Sequence, residues 1–135
     1  MRQVTIAHAH CDLYCGVYDP AQAKIEALSV LKSAQKYHET DDEVFRARAI
    51  AIKEERAELV KHHLMVLWAD FFTADHRQEF ANLDDLFWRA IHQAGDAKKS
   101  DDPAEGEKLV GLIDEIAAIF WQTEKAKGMG VYPPG

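Results

Sequence analysis

The chain has 135 residues, a hydrophobic content of 47% and a formal net charge of -7 at pH 7. That length suits one domain with a single hydrophobic core, which needs no disulfide to hold it together. The acidic balance argues against nucleic acid or an anionic membrane as a partner, because both bind basic surfaces, and no run approaches the roughly 18 apolar residues of a membrane span.

Both cysteines of the chain and one histidine lie within His10–Cys15, close to the N-terminus. Thiolates are soft ligands that suit nickel, copper(I), zinc or iron-sulfur centres, and square-planar nitrogen and sulfur ligation is typical of nickel(II) or copper(II). A Cys-x3-Cys pair by itself also fits a small disulfide loop, two inert buried thiols, or half of a zinc site completed by His8, His10 or a distant histidine. The pair alone leaves these alternatives open.

The preceding segment, Met1–Ala9, affects which donors a metal would find. If residue 10 began the mature chain, its amine, the Cys11 amide and the Cys11 sulfur would form two fused chelate rings, with Cys15 closing the plane and the His10 imidazole on the axis. An internal residue 10 offers an amide in place of the basic amine, and His8 becomes an alternative imidazole. The segment has one arginine and no long apolar core, so it is not a secretory signal. Two reduced cysteines fit a cytoplasmic protein.

Helical periodicity dominates after the cysteine pair and predicts two helices in the first half of the chain. Asp19 as a cap, Pro20 at the first helical position and Gln22 after it predict a helix that runs to about Tyr37. The Thr40–Glu43 segment is a capping box that opens a long helix ending near Thr73. The apolar stripe predicted for this long helix consists of Phe45, Ala49, Ile52, Leu59, His63 and Val66.

Two further helical segments complete an all-α architecture. The third helical region stops around Gly95, and a charged connector, Lys98–Asp102, follows; its apolar positions are Phe80, Leu83, Leu86, Phe87, Ala90 and Ile91. Asp102 and Pro103 repeat the cap pattern of the first helix, and the last helix has an apolar face of Leu109, Leu112, Ile113, Ile116, Ile119 and Phe120. Short connections favour an up-and-down antiparallel four-helix bundle over residues 19–127, with a terminal tail at 128–135.

The segment His10–Pro20 resembles the metal-binding hook of the nickel superoxide dismutases, whose pattern is His-Cys-Asp-x-Pro-Cys-Gly-Val-Tyr-Asp-Pro at the mature N-terminus. Tyr14 stands in place of the family's proline, and Phe71 stands where better-known members carry a tyrosine. The resemblance continues to Lys127 through Ala21–Glu26, Ile52–Leu59, Lys61–His63, Val66–Asp70 and Ile119–Gln122.

This resemblance implies an enzyme that converts superoxide to oxygen and hydrogen peroxide at a nickel ion, in a homohexamer of four-helix bundles. It further implies that a dedicated protease removes residues 1–9, which makes residues 10–18 an N-terminal nickel hook. The implied site residues are His10, Cys11 and Cys15 as nickel ligands, Asp12 and Tyr18 as pocket residues, and Glu26 and Arg56 as the pair that orients the His10 ring.

Several of these assignments have alternatives. Arg56 falls on the predicted apolar stripe, where a buried arginine needs a partner, and Glu26 is a candidate; the pair could equally be a plain interhelical salt bridge. At the level of function, the alternatives are a non-catalytic nickel-binding bundle, an unprocessed inactive precursor, and a structural bundle whose cysteines form a disulfide.

Overall fold

A computed structural model of the chain describes residues 16–127, which contain helices and no strand. The four long helices are α1 (Ala21–His38), α2 (Glu43–Val66), α4 (Leu83–Lys99) and α5 (Pro103–Gln122). A π-helical turn (Leu67–Phe71) extends α2, and two short helices complete the described chain, α3 (Ala74–Glu79) and α6 (Glu124–Lys127).

The four long helices form a closed ring in the order α1, α2, α4, α5. Helix α1 packs on α2 and α5, helix α4 packs on the same two helices, and α1 and α4 lie on a diagonal. Residues 39–42 join α1 to α2, and residues 100–102 join α4 to α5, so these neighbours are antiparallel. The structure confirms the predicted all-α four-helix bundle.

Local sequence signals set the helix starts. Asp102 Oδ1 accepts a hydrogen bond from the Ala104 N–H at 2.9 Å, and Pro103 occupies the first turn of α5, as predicted. At α1 the helix begins at Ala21, one residue after the predicted Pro20, and Asp19 Oδ1 accepts a hydrogen bond from the Ala21 N–H at 2.8 Å. At α2 the predicted Thr40 cap is wrong, because Asp42 accepts the capping hydrogen bond, from the Phe45 N–H at 3.0 Å.

The core faces of the helices agree with the prediction for α5 and disagree for α2. All six apolar positions predicted for α5 are buried. On α2, however, Phe45 is 43% exposed and Ile52 is 41% exposed. The buried positions of α2 are Ala49, Lys53, Ala57, Val60, Leu64 and Val66. Because two of these are alanines, α2 can approach its neighbours closely while larger apolar side chains point outward.

The third predicted helix differs at both ends. Its first predicted apolar residue, Phe80, lies in the turn between α3 and α4, so the region holds two helices instead of one. Helix α4 also continues past Gly95 to Lys99. A buried lysine from α2 stabilises the added turn, since Lys53 Nζ donates to the carbonyl oxygens of Ala97 at 2.6 Å and Lys98 at 2.7 Å. Those carbonyls have no partner within their own helix end, which makes a cation favourable there.

Helices α1 and α5 make their closest approach at Gly106. A Cβ atom added there would lie 2.8 Å from the Leu31 Cα atom, whereas one added at Gly111, five residues further along α5, would meet nothing within 4 Å. The close packing of α1 on α5 therefore requires a glycine at position 106 but not at position 111. None of the described helices combines the length and apolar character that crossing a membrane requires.

Candidate metal centre

The predicted hook residues His10, Cys11, Asp12, Tyr14 and Cys15 lie outside the described residues, as do the leader at 1–9 and the tail at 128–135. The described chain begins at Gly16, inside the predicted hook, and we call residues 16–20 the junction between the hook and the bundle. Within residues 16–127, no group of three His, Cys, Asp or Glu side chains is placed to hold a metal ion.

The junction is a short segment that leads into α1. Gly16 has φ of 71°, in the left-handed region that strains a residue with a side chain. Val17 is 49% exposed, whereas Tyr18 is only 6% exposed. Pro20 is also buried, directly before α1. The chain therefore inserts the predicted pocket residue Tyr18 into the bundle immediately before the first helix.

Tyr18 belongs to a cluster of four packed rings. We call this cluster the aromatic floor; its members are Tyr18, Phe71, Phe72 and Phe120. The Phe71 ring centroid lies 5.7 Å from that of Tyr18 and 4.2 Å from that of Phe120. The Phe72 ring contacts Phe71 edge to face, with centroids 5.0 Å apart. Phe71 is fully buried, so its phenyl group serves as packing beneath Tyr18.

The π-helical turn places Phe71 in this position. Its widened hydrogen bond joins the Phe72 N–H to the Leu67 carbonyl oxygen at 2.9 Å. Such turns are rare and frequently occur at functional sites. The amino-acid sequence predicts an ordinary α-helical end near Thr73, because no glycine or proline marks the change between Leu67 and Phe71.

A lysine from the other end of the described chain completes the junction. Lys125 Nζ donates to the Phe71 carbonyl oxygen at 2.8 Å. It also lies 4.7 Å from the Phe71 ring centroid and 5.7 Å from that of Tyr18. No sequence signal singles out Lys125, since a lysine in a charged helical end is usually a solvated residue.

The structure brings Glu26 and Arg56 together, as the sequence suggested. Arg56 Nη1 lies 3.3 Å from each Glu26 carboxylate oxygen. The Glu26 side chain is 14% exposed and that of Arg56 is 37% exposed. Arg56 is therefore at the edge of the α1–α2 contact, and the prediction that it sits on a buried stripe is wrong. The buried cation of α2 is Lys53, at 1% exposure.

The chemistry of the proposed donors fits nickel. Cys11 and Cys15 are the two cysteines of the chain, and His10 is adjacent to the first of them. Two thiolates with nitrogen donors form the strong, soft ligand set that suits a square-planar nickel ion. The contact of His10 with Glu26 and Arg56 falls outside the described residues and stays a prediction.

Comparison with known proteins gives a consistent result. The profile of the nickel-containing superoxide dismutase family matches residues 5–124. The superoxide dismutase [Ni] of Streptomyces seoulensis is 52% identical over 118 residues, which are 87% of this chain and 90% of the relative. That of Streptomyces coelicolor is 49% identical over 124 residues, which are 92% of this chain and 94% of the relative.

Solved structures agree with the sequence matches. A native structure of nickel superoxide dismutase superposes with a TM-score of 0.83 at 49% identity, covering 85% of this chain and 99% of the other. A structure with nickel ligation corresponding to the oxidised state gives 0.83 at 51% identity, covering 87% and 100%. The family profile, the relatives and the shared fold together show that this chain belongs to the nickel-containing superoxide dismutase family.

Proposed function

We propose that this chain dismutates superoxide at a nickel ion held by His10, Cys11 and Cys15. The observation that carries the proposal is the His10–Pro20 segment, which concentrates both cysteines and a histidine and then continues into the buried Tyr18. Nickel when bound supplies one-electron chemistry, by which one superoxide is oxidised to oxygen and a second, with two protons, is reduced to hydrogen peroxide.

The residues around the hook would hold small molecules and protons in place. The Tyr18 ring packs on the Phe71 ring, so its phenol is held in one position where the hook sequence ends. We assign Tyr18 and Asp12 to ordering water and small anions in the pocket. Phe71 contributes no hydroxyl, which leaves Tyr18 as the phenol of the floor.

The Glu26–Arg56 pair would orient the His10 ring. A hydrogen bond to one imidazole nitrogen fixes which nitrogen faces a metal and raises its basicity. Glu26 is largely buried and held by Arg56, so its carboxylate has the fixed position that this role requires.

We also propose that the chain assembles as a homohexamer. Several large apolar side chains of α1 and α2 are exposed, namely Ile25, Leu28, Phe45 and Ile52. Ile25 and Leu28 lie within one turn of Glu26, and Ile52 lies one turn from Arg56. Apolar surface of this kind is commonly covered by another subunit. We expect a cytoplasmic enzyme whose leader, residues 1–9, is removed by a protease.

The decisive experiment compares the chain that begins at Met1 with one trimmed to begin at His10. Both are loaded with nickel under reducing conditions and assayed for superoxide removal. An amine with an ordinary pKa of about 8 is readily deprotonated by a metal, whereas an amide is a far poorer donor. The trimmed chain should be active, and the longer chain should behave as an inactive precursor with nickel absent or bound differently.

Nickel content and optical spectra of both chains provide the control. Equal activity would show that the free amine of His10 is not needed. Nickel bound by the trimmed chain without activity would favour the alternative of a non-catalytic nickel-binding bundle.

A further inference from the structure

Helix α3 is held to the bundle mainly by polar and ring contacts, because none of its residues is buried. The segment that contains it, residues 73–80, follows the buried Phe72 and ends at Phe80, which packs partly on the core. Between these ends, His76 and Arg77 join the segment to its surroundings. A segment with so little buried apolar surface opens more readily than the helices of the core, so these two contacts control its opening.

The His76 ring contacts both the start of α3 and the aromatic floor. Its Nδ1 atom accepts a hydrogen bond from the Thr73 N–H at 3.0 Å, while the Thr73 hydroxyl oxygen accepts from the His76 N–H at 3.5 Å. This reciprocal pair is the capping box of α3. The same ring lies nearly parallel to that of Phe71, with centroids 5.9 Å apart, and edge to face with that of Phe72 at 5.6 Å. His76 therefore ties the start of α3 to two rings of the floor.

The hydrogen bond from Thr73 requires an unprotonated Nδ1 atom on His76. A backbone N–H can only donate, so this bond exists only while Nδ1 carries no proton. A proton on Nδ1 would set two N–H groups against each other across the same 3.0 Å. The Thr73 hydroxyl oxygen lies 3.3 Å from Nδ1, but a bond to that oxygen would leave the two N–H groups opposed. Because histidine changes its charge between about pH 5 and 8, mild acid can break this contact.

A protonated His76 has no carboxylate partner in place among residues 16–127. The His38 ring, in contrast, has the Asp101 carboxylate at 3.9 Å. The charged group that contacts the same Phe71 ring as His76 is the Lys125 ammonium, 4.7 Å from the ring centroid, and a cation does not stabilise an imidazolium. The charged side chains of the π-helical turn, α3, the start of α4 and α6 that surround this region include Asp70, Asp75, Arg77, Glu79, Asp84 and Lys125. Protonation would therefore remove the hydrogen bond from Thr73 without an ion pair in place to replace it.

Arg77 holds the same segment by a contact that mild acid does not break. Its Nε and Nη2 atoms donate to the two Asp84 carboxylate oxygens at 2.9 Å and 2.7 Å, and its guanidinium carbon lies 5.6 Å from the Trp68 ring centroid. The hydrogen bond from Arg77 lowers the pKa of Asp84, so this carboxylate stays ionised where a histidine titrates. Of the two contacts, the one made by His76 is the acid-sensitive one.

We propose that residues 73–80 form a proton-sensitive strap, which is closed over the aromatic floor when His76 is neutral and released when His76 binds a proton. The released strap binds this proton more readily than the closed one, so the free energy that keeps the strap closed rises with pH across the histidine range. Release would remove the His76 ring from Phe71, the residue on which Tyr18 packs. The contacts that form the strap all lie within the described chain, so the strap does not depend on the proposed function.

Hydrogen–deuterium exchange of the assembled, nickel-loaded protein tests the strap. Protection factors of peptides that cover residues 73–80 are measured between about pH 8 and pH 5, with peptides of α5 as the reference. Exchange at the imidazole C2 position of His76 reports its protonation in the same samples. The test variant is His76→Gln, because glutamine also accepts in a capping box but does not titrate. The matched control is Arg77→Met, which removes the other contact and keeps the histidine.

We expect the protection of residues 73–80 in the parent to fall about three- to tenfold as His76 becomes protonated, the range that the loss of one hydrogen bond can produce. The protection of α5 should stay unchanged. His76→Gln should keep its protection at every pH. Arg77→Met should be less protected than the parent at pH 8 and should still show the fall with acid. Circular dichroism and nickel content are recorded for every protein at every pH.

Three results would overturn the proposal. An equal fall with acid in the parent and in His76→Gln would assign the effect to other groups. Constant protection in the parent while His76 gains its proton would show that the capping box does not hold the segment. A His76 ring that stays neutral down to about pH 5 would show that the strap does not respond to protons. If His76→Gln does not fold, the parent still decides, because protonation and loss of protection must share one midpoint.

Discussion

The contact between α1 and α5 yields a sharp prediction, because the same substitution at two glycines of α5 should have opposite effects. In Gly106→Ala the new methyl carbon would lie 2.8 Å from the Leu31 Cα and 3.0 Å from the Leu31 Cβ. Carbon atoms attract best at about 3.5–4.0 Å, so the helices must separate by several tenths of an ångström. Leu31 Cα is backbone and cannot move by changing a rotamer.

Overpacking of this kind costs about 1–3 kcal/mol, and the better helix propensity of alanine returns up to about 1 kcal/mol. We therefore expect Gly106→Ala to lower the free energy of unfolding by about 1–2 kcal/mol. Gly111→Ala meets no atom within 4 Å. It should raise the free energy of unfolding by about 0.5–1 kcal/mol, because alanine has less conformational entropy to lose than glycine.

Urea unfolding followed by circular dichroism measures both variants against the parent at one chain concentration, since assembly would make stability depend on concentration. Far-UV spectra should stay helical in all three proteins. If Gly106→Ala were as stable as Gly111→Ala, the α1–α5 approach would not be as close as the structure shows, and the packing argument would fail.

Two further predictions concern charged groups of α2. Burial lowers the pKa of Lys53 below its ordinary value of 10.5. Between the lowered pKa and 10.5 the unfolded chain binds more protons, so the stability contributed at Lys53 rises with pH. In urea titrations the Lys53→Met variant should therefore fall further behind the parent as pH increases through that window; a constant difference would contradict the assignment. Replacing Arg56 with methionine should leave helicity nearly unchanged but alter the electron paramagnetic resonance of oxidised nickel, because Glu26 loses the partner that holds it. An identical spectrum would show that the Glu26–Arg56 pair is a structural salt bridge with no effect on the nickel site.

The parts of the fold that the sequence predicts well are those set by local chemistry. Asp102 and Pro103 form a helix start through neighbouring backbone groups, and the apolar face of α5 consists of large side chains at helical spacing. The core face of α2 cannot be predicted from large apolar side chains in the same way. On this helix the buried face contains alanines, which let the helices pack closely, whereas the large side chains of Phe45 and Ile52 are exposed.

The same distinction between local and long-range chemistry applies to the candidate site. The hook is a continuous segment, so its metal donors can be predicted from the sequence. The residues that pack around Tyr18 cannot be predicted in this way, because the aromatic floor and Lys125 depend on contacts between distant segments. The burial of Lys53 is not predictable for a related reason: a charged residue is expected in solvent, and only the structure shows the carbonyl oxygens to which it donates.

The contact between Tyr18 and Lys125 joins nearly the two ends of the described chain, with consequences for biosynthesis. Tyr18 precedes all the described helices in the chain, whereas Lys125 lies in the last of them, α6. The contact between the two side chains can therefore form only once every described helix has been synthesised. A chain truncated before α6 would keep the residues of the four long helices but would lack the lysine that lies over the Tyr18 ring.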